Sequence, residues 1–342
     1  MTKKTIKSRS NEKMTNRELT HKPGWAHSFT IQQYTHFLKL VKNAITTQGL
    51  KVKIDEGIAL VSYPEGRKVR MVLRNLAQEC QKHEVADWSK IIEDYTNQIL
   101  FRIPQTKRPV EKLTDEEIQS MLTVRLVPES YLDSVQDTNP PVRNHIPSLV
   151  TALALDFPEH VQTLLQPQSV QALGRSLDEL FDIGMANIRD RNRYPVQIAP
   201  IKKSKAFEQV VDHLMLVAGD LVERLMVVTG NHYYVPTYAL LFDEYPELVG
   251  RFGCLYGIPR RNVLMTYPIE DKEVINAAQK LLRLTEALFY SGPGALSPNM
   301  YWYYEKKHYF FHNQQDDKRL IFVPPPEFSQ ILNEMNELNK YK

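Results

Sequence analysis

The sequence is poor in cysteine and contains no long hydrophobic run. Its 342 residues include two cysteines, Cys80 and Cys254, which lie far apart and outside any CxxC pair. This spacing indicates no disulfide framework and favours a reducing compartment, for which we expect the cytoplasm. No apolar run approaches the ~20 residues that span a bilayer, and the N-terminal residues lack the apolar core of a secretory signal. We therefore expect a protein that neither crosses a membrane nor is exported.

Motifs of common catalytic and cofactor sites are also missing. The ten histidines form no HExxH pattern, and neither a GxSxG elbow nor a GxxxxGK[ST] phosphate loop occurs. His308 and His312 lie four residues apart in a predicted strand, where sheet residues are a simpler interpretation than a metal pair. The sequence therefore predicts no metal, no cofactor and no catalytic residue.

Positive charge is concentrated at the N-terminal end. Residues 1–25 carry seven lysines and arginines against two glutamates, which gives +5, so the remainder of the +3 chain carries −2. A basic arm of this kind can contact nucleic acid, but a solvated, disordered terminus is the commoner case. Nucleic-acid binding is thus expected only through residues 1–25, if it occurs.

Local signals predict where several helices begin. Thr30, Thr114 and Ser176 are each followed three residues later by Gln or Glu, which is the capping-box pattern. Apolar residues at helical spacing also predict a long helix over about residues 271–289.

Alternating apolar residues predict the strands. They indicate a hairpin over residues 52–60, a strand over 123–127 and a second hairpin over 149–165. Residues 133–147 are polar, contain three prolines and predict an exposed loop.

These elements predict an α+β fold in two structured regions. A small helix–sheet unit is followed by a larger mixed α/β unit with antiparallel strand pairs, and a basic linker containing two prolines separates them near Ile103–Glu111. The predicted regions are a disordered basic tail at 1–26, a helix and β-hairpin unit at 27–112, a main domain at 113–325 and a C-terminal helix or tail at 326–342.

Several short segments carry a resemblance to a known family. They are Met71–Leu76, Thr123–Pro128, Leu155–Pro158, Gly174–Arg189, Gly257–Leu264 and Ala295–Tyr301. In their order and spacing they resemble the YtpQ-like family of bacterial proteins, a domain of unknown function, over roughly residues 29–315. The resemblance implies a bacterial cytoplasmic α/β protein and implies no activity.

Charged and polar residues beside apolar segments are the candidates for a binding site. They are Arg125, Asp156, Asn187, Arg189 and Arg260. Arg125 lies in a predicted apolar strand, and a buried charge needs a partner, for which Asp156 is the first choice. Alternatively, the arginines converge on a cleft that binds an anion, with Asp156 as a general acid or base. Arg189 has a third interpretation, as the cation of a helix C-terminus.

Aromatic residues follow one another near the end of the chain. Residues 301–304 read Tyr-Trp-Tyr-Tyr in a predicted strand, so both faces of the strand carry rings. One face can join the core. The other is either covered within the chain or forms a partner surface, for which Tyr301, Trp302 and Tyr304 are the candidates.

The sequence thus favours a non-enzymatic binding or regulatory protein with an unidentified protein partner, because interface-type residues are plentiful and no catalytic constellation occurs. One alternative is an enzyme acting on an anionic small molecule. Another is weak nucleic-acid binding through residues 1–25.

Overall fold

The chain is organised as two compact units, Met1–Thr106 and Lys107–Lys342, called here the N-terminal and the C-terminal unit. The computed structural model describes residues 26, 29–55, 57–102, 109–135, 139–158, 160–204, 207, 224–291, 293–316 and 319–338. Of the tail predicted for residues 1–26, all but Ala26 lies outside the described residues.

In the N-terminal unit, a three-stranded antiparallel sheet shares a hydrophobic core with helices. The strands are β1 (Lys51–Asp55), β2 (Ile58–Ser62) and β3 (Lys68–Val72), in the order β1-β2-β3. The helices are α1 (Ile31–Thr46), α2 (Arg74–Cys80) and α3 (Trp88–Asn97). Helix α1 begins at its predicted capping box, where Thr30 and Gln33 exchange two side chain-to-backbone hydrogen bonds. Phe37, Val61 and Trp88 are buried in this core.

The C-terminal unit begins with a four-stranded sheet. Its strands are β4 (Leu122–Pro128), β5 (Val142–Ile146), β6 (Leu149–Asp156) and β7 (Val161–Thr163). Strand β4 pairs with β6 along its whole length, and β5 and β7 share the other edge of β6. The helices of this part are α4 (Asp115–Met121), α5 (Pro167–Gln171) and α6 (Leu177–Arg189). Helices α4 and α6 begin at the predicted capping boxes of Thr114 and Ser176.

Strand β5 lies where the sequence predicts an exposed loop, and that prediction is wrong for Val142–Ile146. The strand pairs with β6 in a register that shifts between Arg143 and Ile146. It occupies only part of an edge and leaves Asn144 and His145 exposed. An edge strand with polar residues and neighbouring prolines lacks the apolar alternation on which strand prediction depends.

A seven-stranded sheet follows in the C-terminal unit. Its strands are β8 (Gln197–Pro200), β9 (Met226–Thr229), β10 (Cys254–Arg260), β11 (Val263–Pro268), β12 (Met300–Tyr304), β13 (Lys307–Asp316) and β14 (Arg319–Val323). Neighbours are antiparallel in the order β14-β13-β12-β10-β11-β9-β8. The accompanying helices are α7 (Val274–Tyr290) and α8 (Pro326–Leu338). The α+β class is confirmed. Across the described ranges, no helix combines the length and apolarity needed to cross a membrane.

The aromatic run is covered within the chain. Strand β12 lies between β10 and β13, and Tyr301 and Trp302 are completely buried. Phe328 of α8 contacts the ring of Trp302 on one face of the sheet, with ring centroids 5.1 Å apart. Tyr256 stacks on Tyr301 on the other face at 5.2 Å. A partner surface at Tyr301 and Trp302 is therefore wrong, and Tyr304 is half-buried against Trp302.

Candidate functional site

The polar residues that the sequence nominates do not converge on one cleft, and two of them hold elements together. Asn187 Nδ2 donates to the carbonyl oxygens of Gln119 and Leu122, both at 2.7 Å, and so ties α6 to the junction of α4 and β4. Arg189 donates from Nε and Nη2 to the carboxylate of Glu244 at 2.7 to 3.1 Å. Both side chains of this pair are more than 40% exposed, so its contribution to stability is about 0–1 kcal/mol.

Arg260 forms hydrogen bonds at the C-terminal end of helix α7. Its Nε donates to the carbonyl oxygen of Leu288 at 2.6 Å, and its Nη2 donates to the hydroxyl of Ser291. These bonds satisfy groups at the C-terminus of α7, where a cation is also favourable. Arg260 lines a cleft of about 710 Å³ beside Thr229 and Asn231, and it is the one charged side chain among the described residues of that wall.

The predicted ion pair between Arg125 and Asp156 is not formed between these two described residues. Arg125 Nη1 donates to Thr163 Oγ1 at 3.4 Å, and Asp156 accepts from the hydroxyl of Tyr194 at 2.9 Å. The register explains the separation: Arg125 is opposite Ala152, and Asp156 is four residues further along β6, about 13 Å by strand rise. The prediction of a direct pair is therefore wrong: the Thr163 hydroxyl contacts Arg125, and the Tyr194 hydroxyl contacts Asp156.

A second cleft, of about 530 Å³, lies where β5 approaches the hairpin of β12 and β13. Helix α6 and the 3-10 segment Val235–Glu244 complete it. The wall consists of Arg143, Asn144, His145, Thr151, Phe181, Met185, Leu240, Asp243, Tyr303, Lys306, Lys307, His308 and Tyr309. We call this the basic cleft, because three cations and one carboxylate line it.

The cations come from two different elements. Arg143 of β5 forms an ion pair with the exposed Asp178, and its guanidinium lies 4.2 Å from the centroid of the Phe181 ring. Lys306 lies in the hairpin turn, with Nζ 3.6 Å from Asp243. Lys307 follows it and makes no ion pair with any described carboxylate. The ring contact orients Arg143, whose guanidinium Asp178 already pairs, so Lys307 is the cation of this wall without a described carboxylate partner.

The hairpin turn that carries the lysines has an uncommon backbone. Glu305 and Lys306 form the two-residue turn between β12 and β13 with φ values of 47° and 61°. Two-residue hairpin turns with both φ values positive favour Asn and Gly, because a side chain there is crowded. The turn is therefore strained, and it carries charged residues next to the basic cleft. Backbone strain of this kind is typical of functional positions.

His308 presents a hydrogen-bond donor to the basic cleft. Its Nδ1 lies 2.8 Å from the hydroxyl of Tyr256, which is completely buried. Burial raises the pKa of Tyr256, so that hydroxyl keeps its proton and needs an acceptor, which Nδ1 supplies. Burial first, and then His145, lower the pKa of His308 to about 4. The ring is therefore neutral at pH 7 and carries its proton on Nε2.

Several other polar groups of the basic cleft have partners. His145 Nδ1 lies 2.9 Å from Thr151 Oγ1, and desolvation, followed by repulsion from Arg143, lowers the pKa of His145. Asp243 accepts from the hydroxyl of Tyr303, whose pKa is raised by burial and by that carboxylate. With Lys306 near its second oxygen, Asp243 has both oxygens in contact with a donor or cation.

This arrangement suits an anion that carries an apolar group. Arg143, Lys306 and Lys307 exceed the single carboxylate of the wall by two charges, and Asp178, which pairs with Arg143 outside the wall, reduces this excess to one. Phe181, Met185 and Leu240 supply apolar wall, and the Nε2–H of His308 supplies a directed donor. No group of three metal-ligating side chains occurs in the described part of the chain.

Sequence reasoning nominated no residue of the basic cleft for binding, and it considered His308 only as half of a metal pair. His145 and His308 are separated by more than 150 residues and belong to different sheets. The most readable signal was the run Glu305-Lys306-Lys307-His308, a charged turn between two aromatic strands. Strand β5, which carries Arg143 and His145, was predicted to be a loop.

Comparison with known proteins adds no assignment. No family model, no curated protein and no solved structure matches the chain. The YtpQ-like resemblance therefore stays a prediction, and the site rests on its own geometry.

Proposed function

We propose that this protein is a cytoplasmic, non-enzymatic binding or regulatory protein whose basic cleft holds a small organic anion. The observation that carries the proposal is the convergence of Arg143, Lys306 and Lys307 around the neutral His308, above an apolar wall. A reducing compartment is supported by Cys80 and Cys254, which are both buried free thiols.

The charge and the shape of the basic cleft favour an anion of modest size. Three cations in the wall attract negative charge, and the Nε2–H of His308 can donate to an oxygen of the anion. The half-buried side chains of Met185 and Leu240 offer apolar contact. A carboxylate, sulfonate or phosphate attached to a ring or alkyl group satisfies all of these features at once.

Binding is favoured over catalysis because the titratable groups already have partners. Asp243 is hydrogen-bonded by Tyr303 and faces Lys306, so it is a poor general base. His308 accepts from Tyr256 through Nδ1, which leaves it a donor but no free acceptor nitrogen. An enzyme would need its polar candidates in one place. They are instead dispersed over the C-terminal unit, at Arg125, Asp156, Arg189 and Arg260.

Fluorescence titration with anilinonaphthalene sulfonate tests the proposal, because this probe joins a sulfonate to an aromatic body. Lys307→Gln and Arg143→Gln should each weaken its binding by about three- to tenfold, and added salt should weaken it further. The uncharged analogue N-phenylnaphthylamine should be insensitive to both substitutions.

Lys203→Gln is the matched control. Lys203 is exposed and follows β8, five strand spacings from β13, or about 24 Å. This variant should bind the sulfonate like the unaltered protein. Equal effects of all three substitutions, or no effect of Lys307→Gln and Arg143→Gln, would remove the basic cleft as the binding site.

A further inference from the structure

The three-stranded sheet of the N-terminal unit has one face that the hydrophobic core does not use. Ala59, Val61 and Met71 point toward the helices and are buried. The alternate residues of the same strands point away from them. These are Lys51, Lys53, Ile58, Leu60, Lys68 and Arg70, followed by Val72, which is 54% exposed.

Strand pairing arranges these side chains in rows across the face. Lys53, Leu60 and Arg70 form one row, and Lys51, Ser62 and Lys68 form the next. In these two rows the cations lie on the outer strands, and the middle strand contributes Leu60 and Ser62; Ile58 lies in the third row, between Asp55 and Val72. Two strand spacings separate the columns of cations, or about 10 Å.

Within the described residues, the four cations have no carboxylate partner. Lys51, Lys53, Lys68 and Arg70 are exposed, and none of them makes an ion pair with a described residue. Asp55 is the single acidic residue on the described part of this face, at the end of β1. Like charges on neighbouring strands repel, so an acidic partner would relieve this repulsion.

The pattern fits an amphipathic helix in size as well as in charge. A helix with its side chains is about 10–12 Å wide, which matches the separation of the two columns of cations. Placed along β2, its apolar stripe would cover Ile58 and Leu60. Acidic residues flanking that stripe would reach Lys53 on one side and Arg70 on the other.

A nucleic acid fits the same face less well. None of β1, β2 and β3 places an aromatic ring on it for base stacking, since Tyr63 is buried and lies beneath the guanidinium of Arg67. A phosphate backbone would also leave Ile58 and Leu60 of β2 without an apolar contact.

We propose that the cation-flanked aliphatic face of β1–β3 is a docking surface for an acidic amphipathic helix of a partner protein. This surface is separate from the basic cleft and does not depend on its ligand. The aliphatic residues of β2 provide affinity. The two columns of cations set the orientation of the helix and its association rate.

The test uses the full chain and a synthetic helical peptide of about 18 residues, with leucine at every third or fourth position and flanking glutamates. Fluorescence anisotropy should show binding that weakens at least tenfold in the variant Lys53→Glu with Arg70→Glu. Leu60→Ser should weaken binding about threefold at every salt concentration. A peptide with lysine in place of glutamate should not bind.

The control variant is Lys39→Glu with Lys90→Glu, which makes the same charge change on the exposed sides of α1 and α3. It should change peptide affinity by less than twofold, and neither double variant should alter sulfonate binding in the basic cleft. No peptide binding, or equal loss in both double variants, overturns the proposal. If oligo(dT) or phosphatidylserine vesicles bind more tightly than the peptide and lose affinity with Lys53→Glu and Arg70→Glu, the partner is a nucleic acid or a membrane.

Discussion

At the scale of single residues, His308 combines burial with a pKa well below the ordinary histidine value. The ring is held by the Tyr256 hydroxyl, and its surroundings exclude water enough to lower its pKa from an ordinary 6.5 to about 4. A neutral ring is consistent with a donor role in the basic cleft, since protonation would break its hydrogen bond with Tyr256.

Acid is expected to destabilise the protein through this residue. An unfolded chain binds a proton at His308 below about pH 6.5, whereas the folded protein does so only near pH 4. The stability that His308 contributes is therefore fully present above pH 6.5 and is lost as the pH falls toward 4, by about 2–3 kcal/mol. Urea unfolding of the parent and His308→Gln at pH 7 and pH 4.5 measures this difference. Identical pH dependence in the two proteins would contradict the assignment.

Arg125 and Asp156 show that residue chemistry predicts the need for a partner but not which partner is in reach. The apolar neighbours of Arg125 correctly indicate that it needs a polar partner, and it finds Thr163. Asp156 instead accepts from Tyr194. The apolar neighbours of Arg125 predicted that it needs a polar partner. The strand register determined which residue that partner is.

At the scale of elements, the turn of the β12–β13 hairpin holds charged residues in a strained backbone conformation, which lowers stability. Both turn residues, Glu305 and Lys306, have positive φ. Asn and Gly adopt these conformations readily, whereas a longer side chain at such a position costs about 1 kcal/mol or more.

Replacing the turn should therefore stabilise the protein and weaken the basic cleft. Glu305→Asn together with Lys306→Gly is expected to raise the free energy of unfolding by about 1 kcal/mol, because Asn and Gly adopt positive φ with less strain. The same variant should bind anilinonaphthalene sulfonate more weakly, because a cation is lost. Glu305→Asn alone should stabilise without changing affinity. A turn variant that is less stable than the parent would show that the turn is not strained.

At the scale of the whole molecule, each unit buries one of the two cysteines. Cys80 belongs to the core of the N-terminal unit, and Cys254 lies at the start of β10 in the C-terminal unit. Burial raises the pKa of Cys80 to about 12 and raises that of Cys254 as well. Both side chains are therefore protonated and inaccessible in the folded protein.

A thiol count in the native and unfolded protein tests both cores at once. Ellman's reagent should label neither cysteine at pH 8 in the folded state and both in guanidinium chloride without reductant. Rapid labelling of one thiol in the native protein would show that the core around it opens locally. Absence of both thiols after unfolding would indicate a disulfide.

Features that depend on neighbouring residues were predictable. The capping boxes at Thr30, Thr114 and Ser176 start helices as expected, because a cap involves residues three apart in the chain. The long periodic segment near 271–289 is helix α7, and the alternating segments around 52–60 and 149–165 are hairpins. The α+β class follows from these elements.

Features that depend on distant pairing were not predictable. Strand β5 becomes a strand because β6 offers a free edge, and Tyr301 and Trp302 are covered because β10 and α8 pack beside them. The basic cleft joins Arg143 to Lys307 across two sheets. Hydrogen bonding between strands and burial against remote elements are properties of the folded chain, and a single sequence records neither which strands pair nor in which register.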